Sequence, residues 1–153
     1  MKTIRAAAAV AMMLASFASA QPGAGRNPEI VGRGADQVRW FTPSYYTDGR
    51  QRAQLFGDST RDGPWVDRVR LPAGTRVLAH THPHDELVTV IEGTWYLGAG
   101  ETFDPAKLKG YSAGSFIVIP AGVAHFASAR EGGVVVQLQG TEKFGTVYLE
   151  KQP

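Results

Sequence analysis

The 153-residue sequence contains no cysteine, and this absence excludes several kinds of site. A chain without thiols forms no disulfide scaffold, holds no iron–sulfur cluster and supplies no thiolate to zinc or to covalent catalysis. The sequence also lacks a strong charge of one sign, because 16 basic and 14 acidic residues leave a formal net charge of +2. Lys2 and Arg5 account for that excess. The rest of the chain is therefore neutral overall, and we expect no nucleic-acid partner.

Long hydrophobic runs are also missing. The most apolar stretch, residues 6–17, is shorter than the roughly 20 residues that a membrane-spanning helix needs. It follows the positive Lys2 and Arg5 and precedes the small residues Ala18-Ser19-Ala20, which is the pattern of a signal peptide in residues 1–20. We expect cleavage after Ala20 and an exported protein, periplasmic in a Gram-negative source, with no membrane contact once the signal peptide is removed.

The chain after the predicted signal peptide divides into an arm and a domain. Residues 21–34 are rich in glycine and proline and show little periodicity, which indicates a flexible N-terminal arm. Residues 35–153 are enough for one domain with its own core. One short helix is expected at 105–109, with Asp104 as its N-cap and Gly110 just beyond its end.

The remaining pattern of the domain is that of β-structure. Short runs of β-branched and aromatic residues alternate with turn signals such as Glu92-Gly93 and Glu131-Gly132-Gly133. The predicted strands are 37–41, 53–57, 65–71, 76–82, 87–91, 95–97, 116–119, 125–129, 134–139 and 146–149. About ten short strands at this spacing predict an all-β sandwich or barrel.

The histidines are concentrated in two places. His80, His82 and His84 lie close together, and His125 follows after a loop. Residues two apart on a strand point to the same face, so His80 and His82 project together. Glu86 and His125 each begin a predicted strand and can reach that face. Three imidazoles and one carboxylate predict a site for a divalent transition metal, and this donor set suits Fe, Mn, Zn, Ni, Cu or Co.

Two motifs around these residues resemble those of the cupin superfamily. The first motif is Gly74-x5-His80-x-His82-x3-Glu86-x6-Gly93, and the second is Gly114-x5-Pro120-x-Gly122-x2-His125. Ala129 stands where the second motif often ends in asparagine, which is not a metal ligand. The sequence resembles small, exported, single-domain cupins. That resemblance implies a single-domain cupin jelly-roll β-barrel with one short helix, and metal ligation by His80, His82, Glu86 and His125.

His84 has the same strand parity as His80 and His82. Pro83 interrupts the strand between them, so we expect His84 to lie at the mouth of the site, beside the ligands or in solvent, without binding the metal.

Strand parity also predicts which side chains line the pocket. If His80 faces inward, Leu78 and Arg76 face inward with it, and Val88 and Val90 follow Glu86 into the interior. Arg76 is then a candidate to bind a substrate carboxylate, although an arginine at the rim that pairs with a surface acid has the same pattern.

Tyrosine and glutamine side chains are candidates for proton transfer or hydrogen bonding. Tyr96, which lies on the strand face opposite Trp95, is the first candidate for a catalytic base. Tyr148, Gln137 and Gln139 are further candidates, and for all four residues packing in the core or on an exposed strand face is the favoured explanation.

Three functions stay open at this point. The resemblance to cupins implies a metal-dependent oxidoreductase of the dioxygenase type that acts on a small organic substrate. The same ligands serve a redox-neutral isomerase, lyase or decarboxylase, or a non-catalytic periplasmic module that binds a metal or small ligand. A homodimer is also possible, because pairing of edge strands hides exposed backbone groups.

Overall fold

The computed structural model describes residues 30–151 of the chain. Contacts divide the chain after Gly32, and the unit that begins at Arg33 carries every strand and helix described below. The predicted signal peptide and residues 21–29 of the predicted arm lie outside the described residues, so both stay predictions. Within residues 30–151, no helix is long and apolar enough to cross a membrane.

Antiparallel β-structure dominates the described part of the chain. The strands are β1 (Gln51–Phe56), β2 (Trp65–Leu71), β3 (Arg76–Thr81), β4 (Glu86–Ala99), β5 (Lys109–Ser112), β6 (Phe116–Ile119), β7 (His125–Gly140) and β8 (Val147–Tyr148). The helices are two single 3₁₀ turns, Ala35–Gln37 and Pro105–Lys107. This content confirms the all-β prediction.

The long strand β7 is at the centre of the sheet. Its C-terminal half pairs with β2, its N-terminal half pairs with β3, and β4 runs beside it along both halves. Val136 of β7 is opposite Val69 of β2 on one side and opposite Val90 of β4 on the other. All three side chains are buried. Because β7 pairs with β2 and β3 on one side and with β4 on the other, the sheet curves around an interior that these strands enclose.

Apolar side chains from most of the strands fill that interior. The cluster consists of Trp65, Val69, Leu71, Val77, Val88, Val90, Trp95, Ile117, Ile119, Ala127, Ala129, Val134, Val136 and Leu138. Burial of each large aliphatic side chain contributes about 1.5–3 kcal/mol to the free energy of unfolding. The Trp65 indole also donates a hydrogen bond to the carbonyl of Glu142 at 2.7 Å, so its polar atom is satisfied.

Two predicted turns are instead irregularities within long strands. The Glu92-Gly93 pair lies inside β4, where the register with β7 shifts, and it joins the predicted strands 87–91 and 95–97. Residues 131–133 lie inside β7 and join 125–129 to 134–139. Glycine at these positions permits a β-bulge as readily as a turn, and the pairing partners decide between them.

Two further predicted elements differ from the structure. The predicted strand 37–41 contains only an isolated bridge between Phe41 and Arg52. The predicted helix ends early, because β5 begins at Lys109 and pairs with β4. The predicted cap is present, since the Asp104 carboxylate accepts a hydrogen bond from the Ala106 amide at 2.9 Å.

The bulge in β4 depends on Gly93. Its φ is +74°, and a Cβ at this position would collide with the carbonyl oxygen of Gly133. We therefore expect Gly93→Ala to lower the free energy of unfolding by about 2–4 kcal/mol, measured by urea denaturation. Gly114→Ala is the control, because its φ of +88° is similar while its Cβ meets open space, and it should lose only about 1–2 kcal/mol. Equal losses for the two variants would contradict this account.

Candidate metal centre

The rings of His80, His82 and His125 meet in the interior of the barrel. Their ring centroids are 4.9 Å apart for His80 and His82, 4.2 Å for His80 and His125, and 5.1 Å for His82 and His125. One nitrogen from each ring lies within 4.8 Å of the others, and all three residues are buried. Three histidines are thus placed where they can hold a metal ion.

Backbone carbonyls orient all three rings. Nδ1 of His80 donates to Leu78 at 2.7 Å, Nδ1 of His82 to Gly145 at 2.6 Å, and Nδ1 of His125 to Val123 at 3.0 Å. A carbonyl oxygen only accepts, so in each ring Nδ1 carries the proton. The neutral ring then presents Nε2 with a free lone pair, which is the tautomer that a metal ion requires.

A register shift in β3 brings two of these histidines inward. Val77 of β3 is opposite Ala127 of β7, whereas His80 is opposite His125, so one extra residue on β3 separates these pairs. The pairing is interrupted at Leu78, whose carbonyl bonds to the His80 ring. The buried Ala79 donates its amide hydrogen to the Glu150 carboxylate at 2.8 Å.

The same shift corrects two predictions of pocket-lining residues. Because the inward parity changes within β3, Val77 lines the cavity with His80, while Leu78 and Arg76 do not. Arg76 is exposed, and its guanidinium lies 5.6 Å from the centre of the Phe103 ring. Val88 and Val90 do face the interior, as predicted, and are almost fully buried.

Glu86 completes the group of predicted ligands. It begins β4, and its Oε2 lies 3.4 Å from Nε2 of His82 and 3.5 Å from Nε2 of His125. Nε2 of His82 is buried and makes no hydrogen bond within the described residues. A buried polar atom without a partner is costly, and a metal ion shared by these groups would satisfy it. The donor set therefore fits a divalent transition metal.

Burial and mutual contact shift the pKa values of the group. Burial, together with the nearby His125 and His82, lowers the pKa of His80 to about 4. Burial opposes ionisation of Glu86, but contacts with His125 and His82 in which Nε2 carries a proton outweigh burial and lower its pKa to about 2. A metal ion would take the place of the proton in these contacts. At neutral pH, His80 is therefore neutral and Glu86 is ionised, and both states are those of metal ligands.

The cavity in front of the histidines is mostly apolar. Its volume is about 80 Å³, whereas one water needs roughly 10–15 Å³ by the same measure. The apolar lining consists of Val69, Leu71, Val77, Trp95, Ala127, Val136, Leu138 and Phe144, and the polar lining beside the predicted ligands consists of Tyr46, Arg50, Thr146 and Tyr148. The cavity thus has room for several waters or for a small organic molecule beside the predicted ligands.

The other candidate residues lie outside this cavity. Tyr96 faces the side of β4 opposite Trp95, and the Arg130 guanidinium stacks on its ring at 4.3 Å, so Tyr96 is not placed to act on a ligand in the cavity. Gln137 and Gln139 are also absent from the lining. His84 is exposed beyond Pro83, in keeping with its predicted place outside the group of ligands.

Arg50 and Tyr46 are polar residues of the cavity that the sequence analysis did not identify. Both come from the segment before β1, where no strand pattern signals their direction. Tyr148 on β8 is a predicted candidate that does line the cavity, and its ring lies 5.4 Å from the ring of His80.

Solved structures with the same fold cover most of the chain. The polyketide cyclase RemF from Streptomyces resistomycificus has a TM-score of 0.65 and 14% identity, with 81% of this chain and 88% of the cyclase covered. A sugar phosphate isomerase of the cupin superfamily from Silicibacter pomeroyi has a TM-score of 0.59 and 23% identity, with 77% and 81% covered. An RmlC-like cupin from Shewanella frigidimarina has a TM-score of 0.56 and 18% identity, with 72% and 90% covered.

These likenesses establish the architecture. The chain has the all-β jelly-roll barrel of these cupin structures, which is the fold that the resemblance of the two sequence motifs implies. No family model and no curated protein matches the sequence. Because one fold serves many functions, the residues of the site carry the function of this chain.

Removal of one predicted ligand should abolish metal binding. We expect His125→Ala to lose stoichiometric binding of Co(II), measured by calorimetric titration and by the visible spectrum of the bound ion. His84→Ala is the matched control and should bind Co(II) as tightly as the parent protein, because His84 is exposed and outside the group. Loss of binding in the His84 variant, or retention in the His125 variant, would refute the assignment of ligands.

Proposed function

We propose that this protein is a metal-dependent enzyme that converts a small organic substrate by redox-neutral chemistry, as an isomerase, lyase or decarboxylase does. The observation that carries the proposal is a phenol beside the histidines. Tyr148 lines the same cavity as His80, His82 and His125. The cavity thus combines a set of metal ligands with a group that can give or accept a proton.

The ligand set suits one divalent ion, with Fe or Mn favoured. Such an ion, when bound by His80, His82, Glu86 and His125, supplies Lewis-acid chemistry to an oxygen of the substrate. The three backbone carbonyls hold the imidazoles in place, so little reorganisation is needed. These four residues supply four ligand atoms. A five- or six-coordinate ion would therefore have one or two coordination positions left for a substrate.

Each wall of the cavity has a role in this proposal. The apolar wall, which includes Trp95, Val136 and Leu138, excludes water from the substrate and strengthens polar interactions within the cavity. Tyr148 packs against His80 and has a hydrogen bond with Arg50, which orients its hydroxyl group. Tyr148 is then the group that moves a proton to or from the substrate, since all three buried histidines are committed to the metal.

The activities of structural neighbours support the redox-neutral class. One neighbour is described as a sugar phosphate isomerase and another as a polyketide cyclase. Neither description involves an oxidant.

A metal-dependent dioxygenase is the second candidate. The observation in its favour is the donor set itself, in which three imidazoles and one carboxylate surround a largely apolar space, an arrangement that also suits oxygen chemistry. Dependence on O2 separates the two candidates.

The proposed reaction class is tested by turnover with and without oxygen. We expect the metal-loaded protein to convert members of a panel of small hydroxy and oxo compounds at equal rates under argon and in air, with products followed by NMR. Turnover only in air would favour the dioxygenase. Metal binding without turnover of the panel would favour a binding module.

Tyr148→Phe should lower kcat on any substrate so found by about 10²–10⁴-fold, because it removes the proton-transfer group. Tyr96→Phe is the matched control and should leave kcat unchanged, because Tyr96 lies outside the cavity. A Tyr148 variant with full activity would contradict the role of this hydroxyl.

We also propose that the enzyme works outside the cytoplasm, on the basis of the pattern in residues 1–20. Mass spectrometry of the protein isolated from its own cells should find an N-terminus at Gln21. An intact N-terminal segment would contradict export by cleavage.

A further inference from the structure

Arg50 is a buried cation in the wall of the candidate active site. It is 7% exposed and lines the cavity together with His80 and Glu86. Arginine is rarely buried to this degree without a partner that requires it. A buried guanidinium at this position therefore needs partners for its N–H groups.

The contacts of Arg50 use only part of its donor capacity. Its Nε donates to the Asp48 carboxylate, at 2.9 Å from Oδ1 and 2.8 Å from Oδ2. The other four N–H donors of a guanidinium are on its two terminal nitrogens. Within the described residues, Tyr148 is the further side chain with which Arg50 makes a hydrogen bond.

Neighbouring rings hold the guanidinium in place. The centre of the Tyr46 ring lies 4.3 Å from Cζ of Arg50, and Tyr148 contacts both Arg50 and His80. Burial lowers the pKa of Arg50, but the hydrogen bonds with Asp48 and Tyr148 outweigh burial and raise the pKa above its ordinary value. Arg50 is therefore a fixed positive charge, separated from the histidines by one tyrosine ring.

The charges of the cavity favour an anion. A divalent metal ion and Arg50 together exceed the carboxylates of Glu86 and Asp48 by one positive charge. The remaining polar side chains of the lining, Tyr46, Thr146 and Tyr148, are uncharged hydroxyl groups. A ligand with one negative charge would make the occupied cavity neutral, and a guanidinium matches a carboxylate in both charge and geometry.

We propose that Arg50 binds the carboxylate of a small monocarboxylic acid, so that the substrate of this enzyme is an organic acid that spans from Arg50 to the metal ligands. This inference rests on the proposed metal-dependent function and adds the substrate class to it. The cavity volume of about 80 Å³ is several times what one water needs, so the cavity accepts a small acid. Arg50 is then a specificity-determining residue, and Tyr46 positions it.

Binding of pyruvate, a monocarboxylate with six non-hydrogen atoms, tests the inference. Pyruvate is titrated into Co(II)-loaded protein and followed by the visible spectrum of the ion and by calorimetry. Arg50→Gln should weaken pyruvate binding about 10–100-fold, because it removes a charge-assisted pair. Arg76→Gln is the matched control and should bind pyruvate like the parent protein, because Arg76 is exposed on β3 and outside the cavity.

Two further variants keep the test valid if Arg50→Gln folds poorly. Arg50→Lys retains the charge but loses the planar fork, and it should weaken pyruvate binding by a smaller factor than glutamine does. Asp48→Asn removes the carboxylate that competes for the guanidinium, and it should tighten pyruvate binding. A merely structural Arg50 would not produce effects of opposite sign.

The outcomes separate this inference from the proposed function. If all variants bind Co(II) but pyruvate affinity is the same in the parent, Arg50→Gln and Asp48→Asn proteins, the role of Arg50 is overturned while the metal site stands. If no variant binds Co(II), the metal-dependent function fails, and pyruvate is titrated into the metal-free proteins with calorimetric detection. Binding that is lost in Arg50→Gln then supports the carboxylate site, and binding that is absent or unchanged overturns it.

Discussion

The one-residue register shift between β3 and β7 is the constraint on which the site depends. Upstream of the shift, Val77 points into the barrel; downstream of it, His80 does. In the irregular stretch, the carbonyl of Leu78 and the amide of Ala79 make hydrogen bonds with side chains. The Leu78 carbonyl accepts from the His80 ring, and the Ala79 amide donates to Glu150. The distortion that turns the histidine inward thus also supplies the hydrogen bond that orients its ring, and the shift is an example of a β-bulge that re-aims a side chain beside a functional site.

The same use of backbone carbonyls extends to the other two histidines. His82 bonds to Gly145 in the segment before β8, and His125 bonds to Val123 just before β7. Each ring is therefore held by a different part of the chain. The three rings come together only when the barrel has folded and brought these parts into contact. Because Nδ1 is committed in each ring, Nε2 is the atom that faces the centre. The preorganised donor set and the apolar wall around it are both products of the packed barrel.

The polar end of the cavity comes from segments at the two ends of the domain. Tyr46 and Arg50 precede β1, whereas Tyr148 belongs to the short strand β8, which pairs with β3 next to His80. The ligands come from the middle of the chain, so the site separates into a metal-binding part and a part that contacts the substrate.

The class of fold and the candidate ligands are predictable from the sequence, because both depend on local pattern. The predicted bounds of β2 and β6 agree with the structure, and the two-residue period of a strand places His80 and His82 on one face. Only the tertiary structure decided which other side chains share the cavity. The two-residue period predicts the wrong direction for Arg76, because the bulge in β3 changes which residues face the interior. Such a bulge depends on the pairing with β7, which the local sequence does not show. The same period says nothing about Arg50, because a loop residue has no strand periodicity. Its burial depends on contacts with Tyr46 and Tyr148. Both tyrosines are distant in sequence from the predicted metal ligands.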